Sequence, residues 1–319
     1  MASELPGSSK ALIIGLSGPS SSGKTTLARL LQRIFCRVPL SSQNQMNTFI
    51  IHEDDFYHPD DKIPYTTTRS GKRVQDWDTA AAIDTKFLAQ ALSYVRENGR
   101  LPPRLASKED QNKESDSGVP DSLVQELREA VKQKLNGAEG LTHNTIAFME
   151  GFLLYGPPEI STSANSNPLR PVQDQIHLSL FLPASYSSVK TRREGRSGYV
   201  TIGPAPDASD FTAETAKEHQ DNGPVDLEQE DDRPPQNVWT DPPGYVDDIV
   251  WPRYVEDHAW LLVADESVEG DLVAKVGDGT NVRTDVGVQV CPGQGALGME
   301  DVVKWAVDEI VRFYLDTCM

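Results

Sequence analysis

Gly18-Pro19-Ser20-Ser21-Ser22-Gly23-Lys24-Thr25 constrains this chain more than any other stretch. Its spacing, Gly-x4-Gly-Lys-Thr, is that of a loop that wraps phosphate in backbone N–H groups. Such a loop works only between a strand and a helix, and both flanks fit. Ala11-Leu12-Ile13-Ile14-Gly15-Leu16 is a short apolar run suited to a buried parallel strand. Thr26-Leu27-Ala28-Arg29-Leu30-Leu31 has the spacing of an amphipathic helix, which continues to Phe35. Loop amides and a helix N-terminus together predict an anion site. Lys24 is expected to reach the β- and γ-phosphates of a nucleotide, and Thr25 to offer its hydroxyl to Mg²⁺.

Four more apolar runs read as strands. They are Thr48-Phe49-Ile50-Ile51-His52, Thr145-Ile146-Ala147-Phe148-Met149, residues 176–182 and residues 286–290. Residues 272–276 are a rival for the last of these. Helical spacing recurs between them. Asp78 is placed to cap a helix running through Ala80, Ile83, Phe87, Leu88, Ala91, Leu92 and Val95. Residues 123–135, 185–193 and 251–262 follow, the last with Pro252 in its first turn. Val302, Val303, Ala306, Val307, Ile310, Val311 and Tyr314 form the stripe of a final helix. Strands alternating with helices predict an α/β fold, a parallel sheet covered on both faces.

One domain over residues 1–319 accounts for this pattern. Residues 1–10 read as a flexible N-terminus, 59–72 as a loop and 99–120 as a mobile loop. Residues 201–237 are rich in Asp, Glu, Pro and Gly, and read as a disordered acidic insertion. The formal charge of −18 disfavours nucleic acid or an anionic membrane as partner. No run approaches the roughly 20 apolar residues of a spanning helix, and the N-terminus lacks a signal peptide's apolar region. Cys36, Cys291 and Cys318 suit neither a disulfide framework nor a zinc site. A reduced compartment follows, the cytoplasm and also the nucleus; the sequence does not fix the oligomeric state, and a monomer acting on small molecules is favoured.

The candidate chemistry lies at strand ends, where open α/β sheets bind ligands. Asp54 and Glu150 each follow an apolar run. Moving a γ-phosphoryl group to an alcohol needs Mg²⁺ on the phosphates and a carboxylate to take the hydroxyl proton. Asp54 fits the base and a metal ligand, and Glu150 fits a group that orders Mg²⁺ through water. Arg192, Arg193 and Arg196 form a basic cluster in an acidic chain, suited to neutralising a transferring phosphoryl group. Each of these also has a plain reading as a solvated surface charge.

Several blocks together resemble the nicotinamide riboside kinase family. They are the glycine loop, Glu53-Asp54-Asp55-Phe56-Tyr57, Glu150-Gly151-Phe152-Leu153-Leu154, residues 190–196, Pro243-Gly244-Tyr245-Val246-Asp247 and Val250-Trp251-Pro252-Arg253-Tyr254. They stand in the family's order between residues 11 and 254, and the chain is similar to a fungal-type member with an acidic insertion. The resemblance implies a three-layer P-loop fold of nucleoside-kinase type, with five parallel strands and a mobile lid at residues 185–200. It implies ATP with Mg²⁺, and transfer to the 5′-hydroxyl of nicotinamide riboside, with nicotinic acid riboside as a further acceptor.

By the same resemblance, residues Gly18 to Thr26 (Thr26 included) hold the triphosphate, with Thr25, Asp54 and Glu150 at the metal. Asp54, Asp55, Phe56, Tyr57, Trp77, Asp78, Arg193 and Tyr199 meet the riboside, Asp78 through the ribose hydroxyls. Arg192 and Arg196 contact the nucleotide, and Pro292-Gly293-Gln294 flank the adenine, with Asp278-Gly279-Thr280 as rival. An indole such as Trp77 can stack on the cationic pyridinium ring, though a core position is an equal reading. Uridine or cytidine kinase is the nearest alternative; its branch carries Asp-Ser-Phe-Tyr where this chain has Asp54-Asp55-Phe56-Tyr57. A nucleotide-binding regulatory module without catalysis is the alternative from another class. The chain departs from the family pattern at residues 99–142, at the insertion and through most of its C-terminal third.

Overall fold

The computed structural model describes residues 10–41, 44–103, 105, 107, 116–135, 143–158, 167–196, 198–201, 237–261, 283, 285–293 and 295–318. Five parallel strands form the central sheet: β1 (Leu12–Ser17), β2 (Asn47–His52), β5 (Thr145–Gly151), β6 (Leu178–Phe181) and β9 (Val288–Val290). Two small antiparallel hairpins stand outside it, β3 (Tyr65–Thr67) with β4 (Arg73–Gln75) and β7 (Tyr199–Thr201) with β8 (Asn237–Trp239). The sheet order is β2-β5-β1-β6-β9. The centre falls on β1 and β5 because every residue of both is buried, as apolar runs with no polar face require.

Side chains alternate across this sheet and divide the core in two. Leu12, Ile14, Leu16, Ile146 and Phe148 face one side, under α1 (Lys24–Phe35), α3 (Asp121–Leu135) and α7 (Met299–Cys318). Ile13, Ala147 and Met149 face the other, under α2 (Thr85–Asn98), the short α4 (Arg170–Gln173) and α6 (Trp251–His258). The remaining helix, α5 (Tyr186–Glu194), starts at a Ser185 cap whose hydroxyl accepts from the Ser188 amide. This is the expected three-layer arrangement, and β9 pairs with β6 as the fifth strand. The rival strand at 272–276 lies outside the described residues.

Several local expectations are corrected. Asp78 does not cap α2: Asp84 does, its Oδ1 accepting from the Phe87 amide at 2.9 Å. Ala80–Ala82 is a separate 3-10 turn, and Ile83 bridges to Tyr57. The loop at 59–72 contains strand β3. Thr201 and Asn237, the ends of the expected acidic insertion, are instead paired residues of the β7–β8 hairpin. Residues 202–236, residues 1–9 and much of 104–115 lie outside the described residues. Lys10 is tied down, its amide donating to Arg96 O at 2.7 Å. Among the described residues no helix is long and apolar enough to cross a membrane.

Candidate active site

The loop between β1 and α1 needs backbone that most residues resist. Gly18 has φ +151°, Ser21 +63° and Gly23 +100°. A Cβ on Gly18 would lie 2.2 Å from Leu182 O, so only glycine lets the loop pass the end of β6. The buried hydroxyls of Ser21 and Ser22 have no partner among the described residues. Lys24, buried, donates from Nζ to Pro19 O at 3.0 Å. Burial lowers its pKa, against the pull of Glu150 and Asp54. Orphaned hydroxyls, a cationic head and a helix N-terminus on one loop fit an anion such as triphosphate.

This loop floors a cavity that takes in Lys24, Thr25, Asp54 and Glu150 at one end. Asp54 stands on a 3-10 turn, Glu53–Phe56, directly after β2. Burial and then the Glu150 charge raise its pKa to about 6, partly offset by Lys24 and His52. Glu150 behaves oppositely. Burial pushes it up, but the hydrogen bond and charge of His52, with Lys24 and Thr25, bring the net direction down. Its Oε1 accepts from His52 Nδ1 at 2.7 Å and from Thr25 Oγ1 at 3.1 Å. Because a carboxylate here only accepts, His52 Nδ1 carries the proton.

The other end of the cavity is aromatic. The Trp77 ring lies 5.2 Å from Tyr57 and 5.5 Å from Trp239, and Tyr57 stacks on Phe152 at 6.3 Å. Asp78 and Arg193, both buried, line the same space. Arg193 donates to the two Asp78 oxygens at 2.8 and 3.0 Å and to those of Asp241 at 2.7 and 3.3 Å. A guanidinium gripped by two carboxylates is fixed in direction as well as charge. Arg196 lines the cavity, and Arg192 donates to Ser21 O of the glycine loop at 3.2 Å.

Some expected site residues fall elsewhere. Asp55 and Phe56 are buried and do not line the cavity; Phe56 packs on Phe87 at 5.1 Å. Tyr199 is in β7, with its side chain outside the described residues. Pro292 and Gly293 follow β9 and are exposed, and Gln294 lies outside the described residues. The segment nevertheless runs to Met299, whose Cε would sit 2.6 Å from a Cβ on Gly23, so it borders the glycine loop.

Five residues escaped the sequence reading of the site. Trp239 and Phe152 complete the aromatic walls, and Asp241 completes the grip on Arg193. His52 holds Glu150. Glu53, buried behind the cavity, accepts from the Leu153 amide at 3.1 Å, and burial raises its pKa to about 8. Phe152, Glu53 and Asp241 carried a signal, through the blocks they sit in or adjoin.

Residues 13–152 match the phosphoribulokinase/uridine kinase family. Nicotinamide riboside kinase of Schizosaccharomyces pombe is 26% identical over 303 residues, 95% of this chain and 97% of that protein. The enzyme of the same name from Saccharomyces cerevisiae is 26% identical over 83% of this chain and 84% of its own. Human nicotinamide riboside kinase 1 is 26% identical over 80% of this chain and 83% of its own.

Proposed function

We propose that this chain, a P-loop kinase of the phosphoribulokinase/uridine kinase family, transfers the γ-phosphoryl group of ATP to the 5′-hydroxyl of nicotinamide riboside, giving nicotinamide mononucleotide. One observation carries the reading. A single cavity joins the glycine loop and Asp54 to an aromatic end closed by the Asp78–Arg193 pair. The glycine loop suits phosphate, the aromatic end suits a flat cationic ring, and the charged pair suits ribose hydroxyls. The names of the similar proteins point the same way.

Asp54 takes the proton as the hydroxyl attacks, because an alcohol is a poor nucleophile while it keeps that proton. Lys24, Arg192 and Arg196 neutralise charge on the moving group. Thr25, Asp54 and Glu150 suit Mg²⁺, which takes one or two carboxylates and fills its shell with phosphate and water. Among the described residues no cluster of three or more His, Cys, Asp or Glu stands ready to hold a metal alone, consistent with an ion arriving with the nucleotide. Bound Mg²⁺ would stabilise charge on the phosphate oxygens.

Pro292-Gly293-Gln294 flank the adenine in this scheme, and residues 185–200 act as the lid. Asp55 and Phe56, buried outside the cavity, keep no direct role, and Tyr199 stays a candidate for the riboside's second aromatic face. Free thiols at Cys36 and Cys291 support a cytoplasmic location. The test is a panel of ribosides with ATP and Mg²⁺, scored for monophosphate by mass spectrometry. Nicotinamide riboside should give the highest kcat/KM. Uridine or cytidine ahead of it would overturn the assignment, and no turnover of any riboside would favour the regulatory module.

A further inference from the structure

The short segment that carries Trp77 and Asp78 into the cavity is held from behind, by residues with no part in the scheme above. The Tyr245 hydroxyl donates to Gln75 O at 3.1 Å and accepts from the Trp77 amide at 2.9 Å. One oxygen thus satisfies the backbone groups on both sides of Asp76. The Asp76 amide donates to Pro64 O at 2.7 Å. Its carboxylate, almost fully buried, accepts on Oδ2 from Arg253 Nε at 3.0 Å and Nη2 at 2.8 Å. Neither Tyr245 nor Arg253 lines the cavity.

Tyr245 also touches the opposite wall. Its buried ring lies 5.6 Å from the Arg193 guanidinium carbon and 5.9 Å, edge-on, from Trp239. It therefore sits where the Trp77 segment, the Arg193 fork and the β8 aromatic meet. A buried polar group satisfied on both sides specifies one geometry, since any shift of the segment leaves a donor or acceptor unpaired.

We propose that Tyr245 and Arg253 are positioning residues for the acceptor half of the reaction: they fix Trp77 and Asp78 and so set affinity for the riboside, leaving nucleotide binding alone. The inference rests on the reading of the aromatic end as the riboside site. Its physical basis is the steep cost of misplacement, about 10²-fold for a displacement near 1 Å. A brace that acts through two backbone groups and one carboxylate removes that freedom without touching substrate.

The test uses the full chain carrying Tyr245→Phe, Arg253→Lys or both, with initial rates measured against riboside and ATP separately. Tyr245→Phe removes both hydrogen bonds of the hydroxyl and should raise the riboside KM at least about tenfold, while leaving the ATP KM within about twofold. Arg253→Lys keeps the charge but loses the two-nitrogen grip, and should move the same constant in the same direction. Because both act on one segment, the double variant should fall short of the product of the two effects. A riboside KM unchanged within about twofold, or riboside and ATP constants rising together, would overturn the proposal. If Tyr245→Phe fails to fold, Arg253→Lys decides by the same criteria, since its side chain is already 35% exposed. The wild-type panel tests the riboside assignment on its own. If another riboside proves to be the acceptor, that assignment fails and the split in KM is measured with the true acceptor; a wild type that takes no riboside removes both.

Discussion

Asp54 and Glu150 share a cavity yet differ in proton affinity, one raised to about 6 and the other lowered. Where environment separates two such groups, the raised one is the proton carrier and the lowered one holds charge. Asp54→Asn should therefore cut single-turnover phosphorylation about 10²- to 10⁴-fold while ATP binding changes little. Asp55→Asn is the control, because Asp55 is buried outside the cavity. A crippled Asp55→Asn beside an active Asp54→Asn would move the base to the other carboxylate. Arg193→Lys makes a separate claim. Lysine cannot reproduce a fork that meets Asp78 and Asp241 together, and a buried carboxylate and a half-buried one lose part of their partner. Riboside KM should rise at least about tenfold, and the melting temperature should fall, by calorimetry. Unchanged values of both would mean that Arg193 does not organise this end.

At the scale of elements, the β7–β8 hairpin decides how the chain tolerates its acidic insertion. Tyr199–Trp239, Val200–Val238 and Thr201–Asn237 are in antiparallel register, so residues 202–236 leave and return at one rung. Joining Thr201 to Asn237 through Asn-Gly gives the two-residue turn whose twist suits such a pair. This deletion should keep the melting temperature within about 3 °C and retain riboside turnover. A large loss of stability would show that the acidic segment packs on the domain. The strands and the glycine loop were legible because their signals are local: apolar runs and one spaced motif. Asp78 was misread for the same reason. An Asp before an apolar helical run is a capping signal, but a buried guanidinium 115 residues away claims it instead. Trp239 carried no local signal and Asp241 only its place at the head of the block that runs on to Tyr245, because only the hairpin closing over residues 202–236 brings them to Trp77 and Arg193.

For the whole molecule, acid stability sets opposing groups against one another. Acidification relieves repulsion in a chain of net charge −18. Glu53, raised to about 8, also favours the folded state as pH falls toward its unfolded value. His258 opposes both. It ends α6 in the core behind β6, with its ring 5.2 Å from Phe181 and 4.8 Å from Tyr254. Its Nδ1 meets Tyr254 O at 2.9 Å, and a carbonyl only accepts, so the neutral ring carries its proton there. Burial lowers its pKa from 6.5 to about 4. With the folded value below the unfolded one, its contribution is complete above about 6.5 and is lost as pH falls toward 4. That gap corresponds to about 3 kcal/mol at most. His258→Phe keeps a ring in the stack and removes the titration. Melting curves of both proteins at pH 7.5 and 5.0 isolate the effect, since Glu53 and the net charge are common to each. The wild type should lose several degrees more than the variant on acidification, even though the variant starts lower for want of the Tyr254 hydrogen bond. Equal losses would show that protonating His258 does not govern the acid limb.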